Sequence, residues 1–153
     1  MQIDWAAAAA IAQAIATLLV GIQIYIIAKE NARAHRRTKS RETIQAMNDF
    51  LRAIKNERLW LLDYANIEKL KSPATLSAQE YLIAEQFLGS AERLAVGARN
   101  DVYDLQIMRQ TSRRFLTDSY YHFGAYIEFK RTKLKNPAIF EHYEWLIQAL
   151  NIK

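Results

Sequence analysis

The stretch WAAAAAIAQAIATLLVGIQIYIIA, residues 5–28, decides how the rest of the chain is read. It contains no charged residue, and its polar side chains are Gln13, Thr17, Gln23 and the Tyr25 hydroxyl. As an α-helix it would be roughly 36 Å long, enough to cross a hydrocarbon core of about 30 Å with some tilt. Asp4 closes the run on one side, and Trp5 and Tyr25 stand where interfacial aromatics belong. A cleaved leader would need a positive start, a shorter apolar core and a small-residue cleavage site. Here the preceding residues carry no positive charge, and the run ends in Ile26-Ile27-Ala28-Lys29. A buried helix of a soluble domain competes because the first half is alanine-rich. Residues 15–27, however, are apolar on every face. The sequence therefore predicts a transmembrane helix, with residues 1–28 forming the tail and span.

Lys29, Arg33, Arg36, Arg37, Lys39 and Arg41 follow directly, in a basic juxtamembrane stalk over residues 29–41. With Glu30 this stretch carries the whole chain's net charge of +5, so the remaining residues balance. Basic residues beside a span stay in the cytoplasm and meet anionic lipid headgroups. The reading places the N-terminus outside and the rest inside, at a bacterial inner (cytoplasmic) membrane. The basic charge belongs to the membrane border, so no nucleic-acid partner is expected.

Residues 42–153 are predicted to form one cytoplasmic helical domain. The whole chain has four Gly, two Pro and no Cys, and strand-like alternation is absent. The lack of cysteine excludes disulfides, thiolate metal sites and cysteine nucleophiles. Ile44, Met47, Phe50, Leu51 and Ile54 share a helical face, and Trp60, Leu61, Leu62 and Ala65 extend it. A break is expected near Asn56 and a stop at Ser72-Pro73. Ser77-Ala78-Gln79-Glu80 is a capping box. It opens a helix with Ala84, Phe87, Leu88, Ala91, Leu94, Ala95 and Ala98 on one face, stopping between Gly97 and Asn100. Asp101 is the next predicted N-cap. From it a helix runs to Leu134, kinked between Ser119 and Gly124, and buries Leu105, Met108, Phe115, Leu116, Tyr120, Phe123, Ile127 and Leu134. Asn136-Pro137 is read as cap and first-turn proline of a last helix carrying Phe140, Tyr143, Trp145, Leu146, Ile147 and Leu150. The predicted fold is all-α: a single N-terminal transmembrane helix continuing into a cytoplasmic helical bundle.

Phe87-Leu88-Gly89-Ser90-Ala91-Glu92-Arg93-Leu94-Ala95-Val96-Gly97, with Asn100-Asp101-Val102-Tyr103-Asp104 after it, resembles the central signature of a bacterial and phage family, the domain of unknown function DUF4760. Arg131, Asn136-Pro137 and Tyr143-Glu144-Trp145-Leu146 resemble its C-terminal signature. The resemblance covers roughly residues 41–150. It departs before Gly89, where the family reads more like a Leu-Asn-aromatic-Glu run. It implies a span followed by a helical domain and a phage or prophage association, and it implies no activity.

No catalytic motif, phosphate loop or metal-ligand set stands out, and no cofactor is expected. Asp118 and His122 share a helix face, but no second ligand pair joins them. His35 lies in the basic stalk. Glu92, Asp104, Arg131 and Glu144 sit in or beside apolar faces, where an unpaired charge is costly. They are read as ion pairs fixing helix register, or as a polar pocket. In the span, Ala9, Gln13, Ala16, Thr17 and Gly21 fall on one side and the isoleucines and leucines on the other. Small residues let helices approach closely in lipid, and a buried amide seeks a partner. The functional expectation is a membrane-anchored, self-associating helical interaction module with an unknown protein partner, linked to phage exclusion or defence as the family suggests. The alternative is a small oligomeric pore or membrane-perturbing effector, with Gln13 and Thr17 lining a path.

Overall fold

The computed structural model describes residues 5–152. Asp4, and the side chains of Trp5, Ala6, Ala10 and Ile11, lie outside the described residues. The regular elements of the described residues are all helical: α1 Trp5–Ala53, α2 Lys55–Leu61, α3 Tyr64–Leu70, a 3₁₀ turn Pro73–Thr75, α4 Ala78–Arg99, α5 Leu105–His122, α6 Gly124–Leu134 and α7 Glu141–Asn151. Two compact units divide between Thr38 and Lys39, so the second begins inside the basic stalk.

In the first unit α1 is unbroken through Gly21, as a run without proline should be. It is also long and apolar enough to cross a membrane. Among its described side chains, every one from Gln13 to Thr38 is exposed.

The second unit buries one core. Phe87 of α4 is its hub: the ring stacks on Phe123 with centroids 4.9 Å apart and meets Phe50 of α1 and Phe115 of α5 edge-on, each at 6.2 Å. All seven residues predicted for the inner face of α4 are buried. α7 packs between α4 and α5, inserting Tyr143, Leu146, Ile147 and Leu150. Tyr143 is fully buried, and its hydroxyl donates to the Leu116 carbonyl at 2.7 Å, which satisfies the one polar atom that burial would otherwise strand. Fully burying each such large side chain contributes roughly 1.5–3 kcal/mol.

The helix borders depart from the sequence reading in four places. α1 stops before Ile54, two residues ahead of Asn56: the backbone leaves helical geometry there, at φ −99° and ψ 20°, and the Ile54 side chain is fully buried. A second break falls at Asp63, whose carboxylate caps α3 by accepting from the Ala65 N–H at 2.9 Å. Asp101 is no N-cap. It lies at φ 60° in the turn that closes α4, where the Val102 N–H donates to Gly97 O and the Asp101 N–H to Ala98 O. Asp104 caps α5 instead, accepting from Gln106 and Ile107 N–H. Last, Asn136-Pro137 opens only a turn: the Asn136 side chain accepts from the Ala138 N–H, and Phe140, at φ 58°, interrupts the helix before it starts at Glu141. The break between α5 and α6 falls at Phe123, inside the expected kink.

Ile44, Leu62, Ala65 and Leu134, expected in the core, are exposed. Ile44 loses its place to Thr43, which is fully buried. Leu62 and Ala65 flank the Asp63 break, which turns them out of register. Leu134 sits at the end of α6, where the chain reverses through left-handed Lys135.

Candidate functional site

The apolar stretch of α1 carries a continuous exposed apolar surface. Ile15, Leu18, Leu19, Val20, Ile22, Ile24, Tyr25, Ile26 and Ile27 are each 47–66% exposed. On the small-residue side, Ala9, Gln13, Ala16, Thr17 and Gly21 are exposed as well. A Cβ added at Gly21 would meet no atom within 4 Å. The Thr17 hydroxyl donates to Gln13 O at 2.9 Å, so its hydrogen already has a partner within the helix. That leaves the Gln13 amide as the group on this side able to donate to a neighbouring chain.

Lys29, Arg33, Arg36, Arg37 and Arg41 are exposed, and the Lys29 ammonium lies 5.8 Å from the Tyr25 ring centroid. Lys39 differs from the other five. Its side chain is 19% exposed and its Nζ sits 2.5 Å from Asp101 Oδ1, so it is a strut of the folded unit. Next to it, buried Thr43 donates its hydroxyl to Lys39 O and accepts from the Asp104 N–H, both at 2.7 Å. The α4–α5 loop is thus fastened to the first turns of α1 that belong to the second unit. The sequence gives no sign of this, because the partners lie some sixty residues apart.

Glu92, Asp104, Arg131 and Glu144 do not converge on one pocket. Arg131 pairs with Glu144 at 2.7 Å and Glu128 at 3.1 Å, and it donates to the Ile139 carbonyl at 3.0 Å. It therefore ties α6 to α7 and to the turn between them. Glu92 accepts from the backbone N–H groups of His142 and Tyr143 at 3.2 and 2.8 Å. Its carboxylate does for α7 what an N-cap would do, since Phe140 offers no cap hydrogen bond. His142 Nδ1 is also within 2.9 Å of Glu92 Oε1. Asp104 is the cap of α5.

A groove of about 810 Å³ runs along α5, lined among others by Arg109, Arg113, Arg114, Thr117 and Asn151. Its arginines are engaged: Arg109 donates to Ala149 O at 2.9 Å, Arg113 to Asn151 Oδ1 at 3.0 Å, and Arg114 approaches Asp118 at 3.5 Å. The first two hold the C-terminal end of α7, where cations are favoured. His35 and His122 are exposed. Among the described residues no group of three or more His, Asp or Glu is placed to hold a metal ion.

One family model, that of the domain of unknown function DUF4760, matches residues 6–150, a span that includes both the apolar stretch and the helical unit. No curated protein and no solved structure matches the chain.

Proposed function

We propose, from the premise that the chain belongs to the DUF4760 family, that it is a membrane-anchored helical module which works by binding other chains, beginning with copies of itself. One observation carries this reading: nine consecutive-turn large apolar side chains of α1 stand about half exposed or more. Isolated apolar residues on a surface need no explanation, but a continuous patch of this kind marks contact with lipid or protein. Taking nine such side chains out of water contributes on the order of 10 kcal/mol. Five exposed basic residues at the end of the apolar stretch suit the cytoplasmic headgroup layer, where each adds about 1 kcal/mol. The second unit has a complete core of its own and supplies a folded body for partner binding. Engaged arginines along α5, caps and ion pairs all have structural work within that body, which favours a binding role over catalysis.

The test is membrane extraction combined with topology. Full-length protein should stay in the membrane pellet through alkaline carbonate and leave it in detergent. A reporter fused after Lys153 should be active only if it works in the cytoplasm. Release by carbonate, or a C-terminal reporter active outside, would overturn the anchor or its orientation. Ion conductance through the purified protein in a planar bilayer would replace the module by a pore.

A further inference from the structure

In the second unit, α4, the start of α2 and the last residue of α1 leave a groove of about 590 Å³ between them, lined among others by Ala53, Glu57, Gly89, Ser90 and Arg93. Small-molecule sites fall in the range of about 300–1,000 Å³ and combine a shaped wall with a few placed polar groups. Three features here have no explanation in the packing of the chain itself.

The first is Glu57. Its side chain is buried, with 6% of the residue exposed, and its Oε2 has no hydrogen-bond partner among the described residues. Among the described residues no ion pair reaches it either, whereas its neighbour Glu85 is served by Lys130 at 3.1 Å and by the Tyr126 hydroxyl. A buried carboxylate oxygen left without a donor is among the more expensive arrangements in a fold. The second is Gly89. Glycine in a helix interior costs about 1 kcal/mol relative to alanine. A Cβ there would meet nothing nearer than Arg93 Nη1 at 3.9 Å, so the chain does not need the gap for its own packing. The third is Arg93, whose guanidinium donates to the Ser90 hydroxyl at 3.0 Å and has no carboxylate partner among the described residues.

We infer that this groove binds a small amino-acid-like zwitterion, its cationic nitrogen donating to Glu57 and its acidic group meeting Arg93 beside the bare backbone of Gly89. The ligand nitrogen supplies the donor that Glu57 lacks, the arginine selects an anionic end, and the glycine lets the ligand lie against α4. This site owes nothing to the membrane reading, since every residue lining it belongs to the second unit.

Full-length protein in detergent micelles, labelled with ¹⁵N, is titrated with free amino acids, lysine and arginine among them. Agmatine serves as the amine lacking an acid, and propionate as the acid lacking an amine. At least one amino acid should shift the amides of residues 53–57 and 85–93 and bind more tightly than agmatine or propionate. Glu57→Gln should weaken that binding roughly ten- to hundredfold, the range set by one charge-assisted hydrogen bond. Arg93→Gln, at an exposed position, should weaken the amino acid and leave agmatine unchanged. Gly89→Leu should keep the helical circular dichroism and abolish binding by filling the groove. Absence of shifts at these amides with every probe at millimolar concentration would overturn the site, as would parent-like binding by Glu57→Gln or Gly89→Leu.

Discussion

Glu80 accepts from Lys69 Nζ at 2.6 Å and from the Ser77 N–H at 2.9 Å. These partners, Lys69 foremost, hold its carboxyl down at about 2, against an ordinary 4.5. A depressed carboxyl contributes stability that is present above the unfolded value and is lost as pH falls through the folded one. The start of α4 should therefore loosen between about pH 4.5 and 2. A ¹³C-detected titration should give Glu80 a midpoint near 2 in the parent, rising toward 4.5 in Lys69→Met. A parent midpoint near 4.5 would show that the lysine contact does not persist in solution. The capping box itself was legible in four letters, because Ser77 and Glu80 act on each other across one turn. Lys69 was not legible as its partner, since a loop and a 3₁₀ turn intervene. Glu92 failed for another reason. Its partners are backbone N–H groups of α7, fifty residues away, and nothing in the identity of His142 or Tyr143 marks a helix end that lacks its own cap.

The elements were legible where apolar spacing is regular and uncertain where the backbone turns left-handed. α4 matched its predicted face residue for residue, because alanines and large side chains alternate at helical spacing along its whole length. Asp101, Lys135 and Phe140 all take positive φ, a conformation that sequence marks reliably only when glycine occupies it. Those three positions account for the misplaced start of α5 and the late start of α7. The α4–α5 turn also depends on a glycine that is not left-handed at all. Tyr103 folds back so far onto Gly97 that a Cβ there would lie 2.2 Å from its Cε2. Gly97→Ala gains up to about 1 kcal/mol in helix propensity and must displace a half-buried ring, an overpacking cost of about 1–3 kcal/mol. The overlap is severe enough for the cost to prevail, with a net loss of about 1–2 kcal/mol in urea unfolding. In a Tyr103→Ala background the same substitution should be neutral or stabilising. An equal loss in both backgrounds would mean that the ring is not the obstacle.

At the scale of the whole molecule, the chain joins an apolar stretch of α1 whose described side chains are exposed to a unit with a complete core. Self-association through the first would set how many copies of the second stand together. In lipid, pairing two helices yields no hydrophobic gain, so close packing and interhelical hydrogen bonds must drive it. Ala9, Ala16 and Gly21 offer the close packing, and space for a partner is open at Gly21. Thr17 spends its hydrogen on Gln13 O, which concentrates the hydrogen-bonding role on the Gln13 amide. An interhelical bond of this kind is worth on the order of 0.6–2 kcal/mol, so Gln13→Leu should lower the association constant by roughly three- to thirtyfold. Gly21→Ile should act through contact distance, because a Cβ at this position meets no atom within 4 Å. Ala16→Ile should do the same five residues earlier, while Ile15→Leu, on the opposite side, should leave assembly unchanged. The measurement is crosslinking yield of full-length protein in membranes across a dilution series with added lipid. Parent-like yields for Gln13→Leu, Ala16→Ile and Gly21→Ile together would place any oligomer contact in the second unit and leave α1 as an anchor only.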